Sequence, residues 1–226
     1  MFLLIPYEIE TLRQERPWAN WILVGLSTLV SLAAIFGVIS EEAIDRMVLW
    51  GWNPAGLIGH IFLHGGFIHL IGNMIFLWVF GNAVCTNIGN LRYLAAFFGC
   101  TLIAAAAHNL FDGGPAIGAS GAINGVVGMV LAMYPLNRIH VWWLFLIKGG
   151  TFAVKAWIII VFWLLFDVWG VATGGSMIAY WAHIGGLAGG VAIGLTGLHL
   201  GWIELTRYDN RSLLDIFTGK GAEEIF

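Results

Sequence analysis

The stretch Ile117-Gly118-Ala119-Ser120-Gly121-Ala122-Ile123-Asn124-Gly125-Val126-Val127-Gly128-Met129-Val130-Leu131-Ala132-Met133-Tyr134-Pro135-Leu136 carries no charged side chain. About 20 helical residues rising 1.5 Å each match the roughly 30 Å hydrocarbon core of a bilayer. The segment therefore reads as a membrane helix, and it opens on a serine hydroxyl set between glycines.

The absence of charge recurs outward from this stretch. No Asp, Glu, Lys or Arg lies between Arg46 and Arg92, between Arg92 and Asp112, or between Asp167 and Glu204. Of the 226 residues, 59% are apolar and only 10% charged, and the mean hydropathy is +0.86. A soluble domain carries about 25% charged residues, so the bilayer is the expected solvent. Six spans can be read, at 18–39, 61–83, 93–111, 117–136, 155–173 and 177–199. The expected fold is an all-α polytopic membrane protein, a bundle of six transmembrane helices. One membrane domain, 18–202, lies between an N-terminal segment, 1–17, and a charged tail, 203–226, both expected in the cytoplasm. Met1 to Tyr7 is too short for a secretory signal, and the charges from Glu8 to Arg16 interrupt it.

Orientation follows from the basic residues. With the N-terminus inside, Arg13, Arg16, Arg92, Arg138, Lys148, Lys155, Arg207, Arg211 and Lys220 are all cytoplasmic, and only Arg46 of the ten is outside. This is a strong positive-inside signal. Both termini are then cytoplasmic, the expected location is the cell membrane (a bacterial inner membrane), and spans two, four and six run inward. Trp50 and Trp52 in the 40–60 link, and Trp142 and Trp143 in the 137–154 link, suit loops at the two interfaces.

Composition also excludes. A net charge of −3 without a basic cluster leaves nothing for nucleic acid. Cys85 and Cys100 fall in apolar segments and read as buried, unbridged thiols. His60 and His64 stand at i, i+4, but without a matching carboxylate or thiol cluster they read as structural, not as metal ligands. No metal and no cofactor is expected.

Polar groups inside spans are costly and are functional candidates by default. Span two carries His69 and Asn73 on one helix face, span four opens on Ser120, and span six carries His183. All three groups fall in the outer parts of inward-running helices. Gly186, Gly190 and Gly194 form a stripe after His183, and Gly121, Gly125 and Gly128 form a small-residue patch beside Ser120. Such stripes let membrane helices pack backbone to backbone, which would bring Ser120 and His183 together. A serine hydroxyl needs an adjacent base, and histidine is the usual one. His69, Asn73 and the Ser120 backbone N–H at a helix start are natural donors to an oxyanion. No carboxylate shares those three spans, so a Ser–His dyad is expected. Asp167, in the outer half of span five and roughly level with His183, could tune that histidine or line the water path, and a structural or solvated role is favoured. His108 and His199 have no partner identifiable from sequence.

The motifs resemble those of the rhomboid family of intramembrane serine proteases. His-x-x-x-Asn is matched by His69 and Asn73, and Gly-x-Ser-Gly by Gly118, Ser120 and Gly121. Ala-His-x-x-Gly is matched by Ala182, His183 and Gly186, with Gly190 continuing the stripe. The resemblance covers residues from about 18 to 200. It implies a rhomboid-type six-helix core, Ser120 as nucleophile and His183 as base. It further implies an oxyanion hole from His69, Asn73 and the Ser120 amide, and substrates that are transmembrane segments cut near their outer ends. Two positions depart from the pattern. The Trp-Arg pair of the first loop is replaced by Trp50-Gly51. An aromatic residue four positions after the serine is replaced by Asn124, which is offered as a hydrogen-bonding support for His183. The alternative function is a catalytically silent rhomboid-like protein that binds membrane clients. A transporter is disfavoured because only Asp167 approaches mid-span charge. The sequence names no physiological substrate and no oligomeric state.

Overall fold

The computed structural model describes residues 2–12, 15–175, 178–206 and 209–219. Arg13, Arg207 and Lys220, counted above for orientation, lie outside these residues, as does Met177, the first residue read into the sixth span.

A strand, β1 (Phe2–Ile9), precedes α1 (Trp18–Ile35). Two short helices, α2 (Glu41–Met47) and α3 (Pro54–Gly59), fill the next link. The second long helix consists of α4 (Phe67–Phe76), a π-helical segment at Leu77–Gly81, and α5 (Asn82–Ile88). Then follow α6 (Asn90–Phe111), α7 (Ser120–Met133), a hairpin of β2 (Arg138–Phe145) and β3 (Lys148–Lys155), α8 (Ala156–Ala172), α9 (Tyr180–His199) and α10 (Leu213–Thr218).

Among the described residues, four helical stretches are long and apolar enough to cross a membrane: Trp18–Ile35, Phe67–Ile88, Asn90–Phe111 and Tyr180–His199. Helices α7 and α8 are apolar but shorter. Most of α7 is buried among its neighbours, so it need not match the lipid thickness itself. The second long helix starts at Phe67, not at 61, because Gly66 takes φ +146°, a conformation that ends helical continuity. His60 and His64 therefore belong to the preceding link.

The chain is mostly helical but not all-α. Strands β1, β2 and β3 form an antiparallel sheet in that order, with Leu4 opposite Trp143 and Ile139 opposite Val154. The 137–154 link is thus paired backbone, not an irregular loop. Every N–H and C=O needs a partner where water is scarce, and the ladder supplies them. Asn137 ties this end together. Its Nδ2 donates to the Glu10 carbonyl at 2.6 Å, and its Oδ1 accepts from Asn210 N–H at 3.3 Å and Nδ2 at 3.1 Å. The N-terminal segment, the sheet and the residues after α9 therefore share one end of the bundle.

Glycines set the closest helix contact, between α7 and α9. A Cβ on Gly186 would run into the Gly121 carbonyl, one on Gly190 into the Gly125 carbonyl, and one on Gly128 into the Leu187 carbonyl. Gly194 faces Ala132, whose Cβ would lie 2.6 Å away. Helix α6 closes the third side, with Cys100 against Gly125 and Ala104 against Gly121.

Candidate active site

The loop before α7 is held at several points. Leu49 and Ala116 exchange backbone hydrogen bonds of 3.0 and 2.9 Å, and Gly118 N–H donates to the His60 carbonyl at 2.9 Å. Ala119 N–H donates to His64 Nε2 at 3.5 Å, a long bond. An imidazole nitrogen that accepts carries no proton, so the His64 proton sits on Nδ1 and is donated to Ser31 Oγ at 2.8 Å. Ser31 O–H passes on to the Phe62 carbonyl at 2.8 Å. His60 Nδ1–H donates to the Gly56 carbonyl at 2.8 Å. Burial lowers the pKa of both rings, and that of His64 falls to about 4, with nearby His69 a lesser cause. His108 Nε2–H donates to the Gly114 carbonyl at 2.7 Å, and Asp112 lies 3.5 Å from its Nδ1.

This scaffold delivers Ser120 to the first turn of α7, where backbone N–H groups lack intrahelical carbonyls. Ser120 Oγ lies 2.8 Å from His183 Nε2, across the glycine contact of α7 and α9. The other ring nitrogen, Nδ1, lies 3.0 Å from Asp167 Oδ1. The contact sets Asp167, for which the sequence leaves a tuning role open beside the favoured structural or solvated one, against the ring of the expected dyad. Span order puts Asp167 level with His183, but the rotation of α8 that turns the carboxylate onto the ring has no local signature. A carboxylate accepts, so Nδ1 holds the ring proton and Nε2 is left to accept from the Ser120 hydroxyl.

His69 has the opposite tautomer. Gly65 N–H donates to its Nδ1 at 3.3 Å, which places the proton on Nε2. That edge of the ring lies over Gly118, whose φ of +116° keeps the position to glycine. Asn73 Nδ2 donates to the His69 carbonyl at 2.9 Å, leaving one amide hydrogen, while its buried Oδ1 has no hydrogen-bond partner among the described residues. Asn124 Nδ2 donates to the Ser120 carbonyl at 3.0 Å and so does not support the His183 ring.

Two cavities flank the Ser120–His183 pair. One, of about 310 Å³, is lined by His69, Asn73 and Ser120. The other, of about 220 Å³, is lined by Asp167, His183, Trp163 and Phe166. Phe76, Ile123 and Asn124 line both. Among the described residues no group of three or more His, Cys, Asp or Glu side chains is placed to hold a metal ion. Cys85 and Cys100 are free and buried. A hydroxyl paired with an accepting imidazole, beside an imidazole N–H and a helix start, has the parts for nucleophilic acyl transfer.

Comparison with known proteins shows the family. A family profile described as the Rhomboid domain matches residues 49–200, well over half of the chain. The chain is 34% identical over 166 residues to rhomboid protease GluP of Bacillus subtilis, covering 74% of this chain and 29% of that protein. It is 32% identical over 153 residues to mitochondrial rhomboid protein 1 of Saccharomyces cerevisiae, covering 63% and 41%. It is 25% identical over 193 residues to rhomboid protease GlpG of Salmonella choleraesuis, covering 82% and 65%. The chain thus spans from under a third to just under two thirds of the length of these relatives. With its apolar helices and a profile match across most of the bundle, the chain is a multi-pass membrane protein that belongs to the rhomboid family.

Proposed function

We propose that the chain is an intramembrane serine endopeptidase that cuts transmembrane segments of other proteins near their outer ends. The observation that carries this is the 2.8 Å contact between His183 Nε2 and Ser120 Oγ, made beside the proton-bearing edge of His69. His183 takes the hydroxyl proton as Ser120 Oγ attacks the scissile carbonyl carbon. Negative charge develops on the carbonyl oxygen, and the Ser120 N–H, His69 Nε2–H and the remaining Asn73 amide hydrogen surround it. As the intermediate collapses, His183 returns the proton to the leaving amine and an ester on Ser120 remains. Water, deprotonated by His183, then hydrolyses that ester.

Around this site the chain crosses the bilayer six times, with α7 and α8 as the two short spans. Gly118, Gly121, Gly186 and Gly190 hold the helices close enough for the chemistry. Residues 18–202 form the membrane domain; residues 1–17 and the tail 203–226 are cytoplasmic, in a bacterial inner membrane. The shared end at Asn137 supports placing both termini on one side. The test is cleavage of a generic helical transmembrane substrate by the purified chain and by Ser120→Ala. Cleavage lost in the variant supports the protease. No cleavage by either form favours a silent client-binding protein, and equal cleavage by both excludes Ser120 as nucleophile.

A further inference from the structure

Asp167 lies outside the three motifs yet touches the side chain on which the proposed chemistry turns. Its Oδ1 is 3.0 Å from His183 Nδ1, and the two side chains are only 12% and 15% exposed. The contact belongs to a helix register. Asp167 stands three residues before Gly170 on α8, and Tyr180 stands three residues before His183 on α9. The Tyr180 ring rests on the bare Gly170 backbone, where any Cβ would strike it, and also on Gly175. Antiparallel packing of these i, i+3 pairs sets His183 opposite Asp167 once Tyr180 is seated on Gly170. Other candidates to hold the ring are engaged elsewhere: Asn124 serves the Ser120 carbonyl, and Ser120 itself is on Nε2.

We infer that Asp167 is a positioning residue, which fixes the His183 ring and its Nδ1–H tautomer and steadies the imidazolium formed as Ser120 loses its proton. This rests on Ser120 and His183 acting as nucleophile and base. The carboxylate touches no reacting atom. It can only accept, so it keeps Nε2 free to take the Ser120 proton. Asparagine in its place has two faces. With its NH2 toward Nδ1 it forces the proton onto Nε2 and blocks the base; with its carbonyl toward Nδ1 it keeps the tautomer and loses the charge. Among the described residues, His69 on α4 also lies within electrostatic reach of His183.

The experiment compares the full chain with its Asp167→Asn, Asp167→Glu and Ser120→Ala forms, each reconstituted with a transmembrane substrate. Loss of the aspartate of a Ser–His–Asp set in a soluble protease lowers kcat by about 10⁴-fold. For Asp167→Asn a fall in kcat of about 10²- to 10⁴-fold is expected, with KM nearly unchanged. Asp167→Glu should recover part of the rate. A merely structural role would lower Tm and the folded fraction and leave kcat per folded molecule unchanged; this result, or full activity in Asp167→Asn, overturns the inference. Should Asp167→Asn not fold, ¹⁵N-imidazole NMR of the unsubstituted chain decides: a proton on His183 Nδ1 and none on Nε2 supports it, the reverse overturns it. Cleavage that survives in Ser120→Ala sinks the parent mechanism instead, so the two failures are distinguishable.

Discussion

Gly118 lies under the His69 ring. A Cβ at this position would come within 2.8 Å of Cε1 and 2.9 Å of Nε2 of His69, and stand 4.0 Å from Ser120 Oγ. The bare backbone at 118 thus sets the spacing between the serine and the imidazole N–H proposed to face the oxyanion. Gly118→Ala meets both this contact and the cost of φ +116°. The variant should lose about 10²-fold or more in kcat, the scale of one misplaced oxyanion donor. Steady-state cleavage of a transmembrane substrate measures it, and activity within threefold of the parent would mean that His69 takes no part.

Helix packing makes a second expectation. A methyl on Gly190 enters the Gly125 carbonyl, which is backbone and cannot turn aside. Gly190→Ala should cost about 1–3 kcal/mol or more of stability through overpacking and separate Ser120 from His183. Gly25, within α1, meets nothing within 4 Å. Gly25→Ala should therefore gain about 0.5–1 kcal/mol from helix propensity. Thermal unfolding in detergent of the two variants, run side by side, checks the opposite signs.

Acid should weaken the loop before α7. The ordinary His pKa of 6.5 falls to about 4 for His64 through burial, and that of buried His60 is lowered as well. The unfolded chain therefore binds more protons than the folded one below pH 6.5. Stability is retained above pH 6.5, declines as pH falls toward 4, and levels off below that. His64 alone contributes on the order of 3 kcal/mol to that decline. The unfolding free energy at pH 7 and pH 5 tests this, with His64→Gln expected to flatten the dependence. An equal decline in that variant would assign the effect to other groups.

Asn124 provides a contrast to Asp167. Its amide returns to the carbonyl of Ser120 on its own helix, and that oxygen already has the backbone partner of a regular turn. Asn124→Ala should leave cleavage within about threefold of the parent. A hundredfold loss would show that the amide reaches His183 or substrate during turnover.

Much of this arrangement is legible in the amino-acid sequence alone. Charge-free runs mark the long helices, and the spacing of Gly186, Gly190 and Gly194 marks the face by which α9 meets α7. The positions of Ser120, His183, His69 and Asn73 follow from motif and span order. Two features are not legible there. The sheet joins Phe2–Ile9 to residues more than a hundred positions away, and Trp142, Trp143, Gly149 and Gly150 show no clear alternation to announce it. The Asp167–His183 contact depends on how α8 is rotated, which is set by non-local packing: the Tyr180 ring on Gly170, and Trp163 against Phe76 and Phe80. Pattern within a helix carries no information about such a non-local choice.

The central claim is that Ser120 is a nucleophile activated by His183. Its most direct measurement is mass-spectrometric mapping of a fluorophosphonate adduct on the folded chain, with labelling rates for the parent, Ser120→Ala and His183→Ala. The adduct should sit on Ser120, be absent in Ser120→Ala, and form at least about 10²-fold more slowly in His183→Ala. An adduct on another residue, or an undiminished rate without His183, would contradict it.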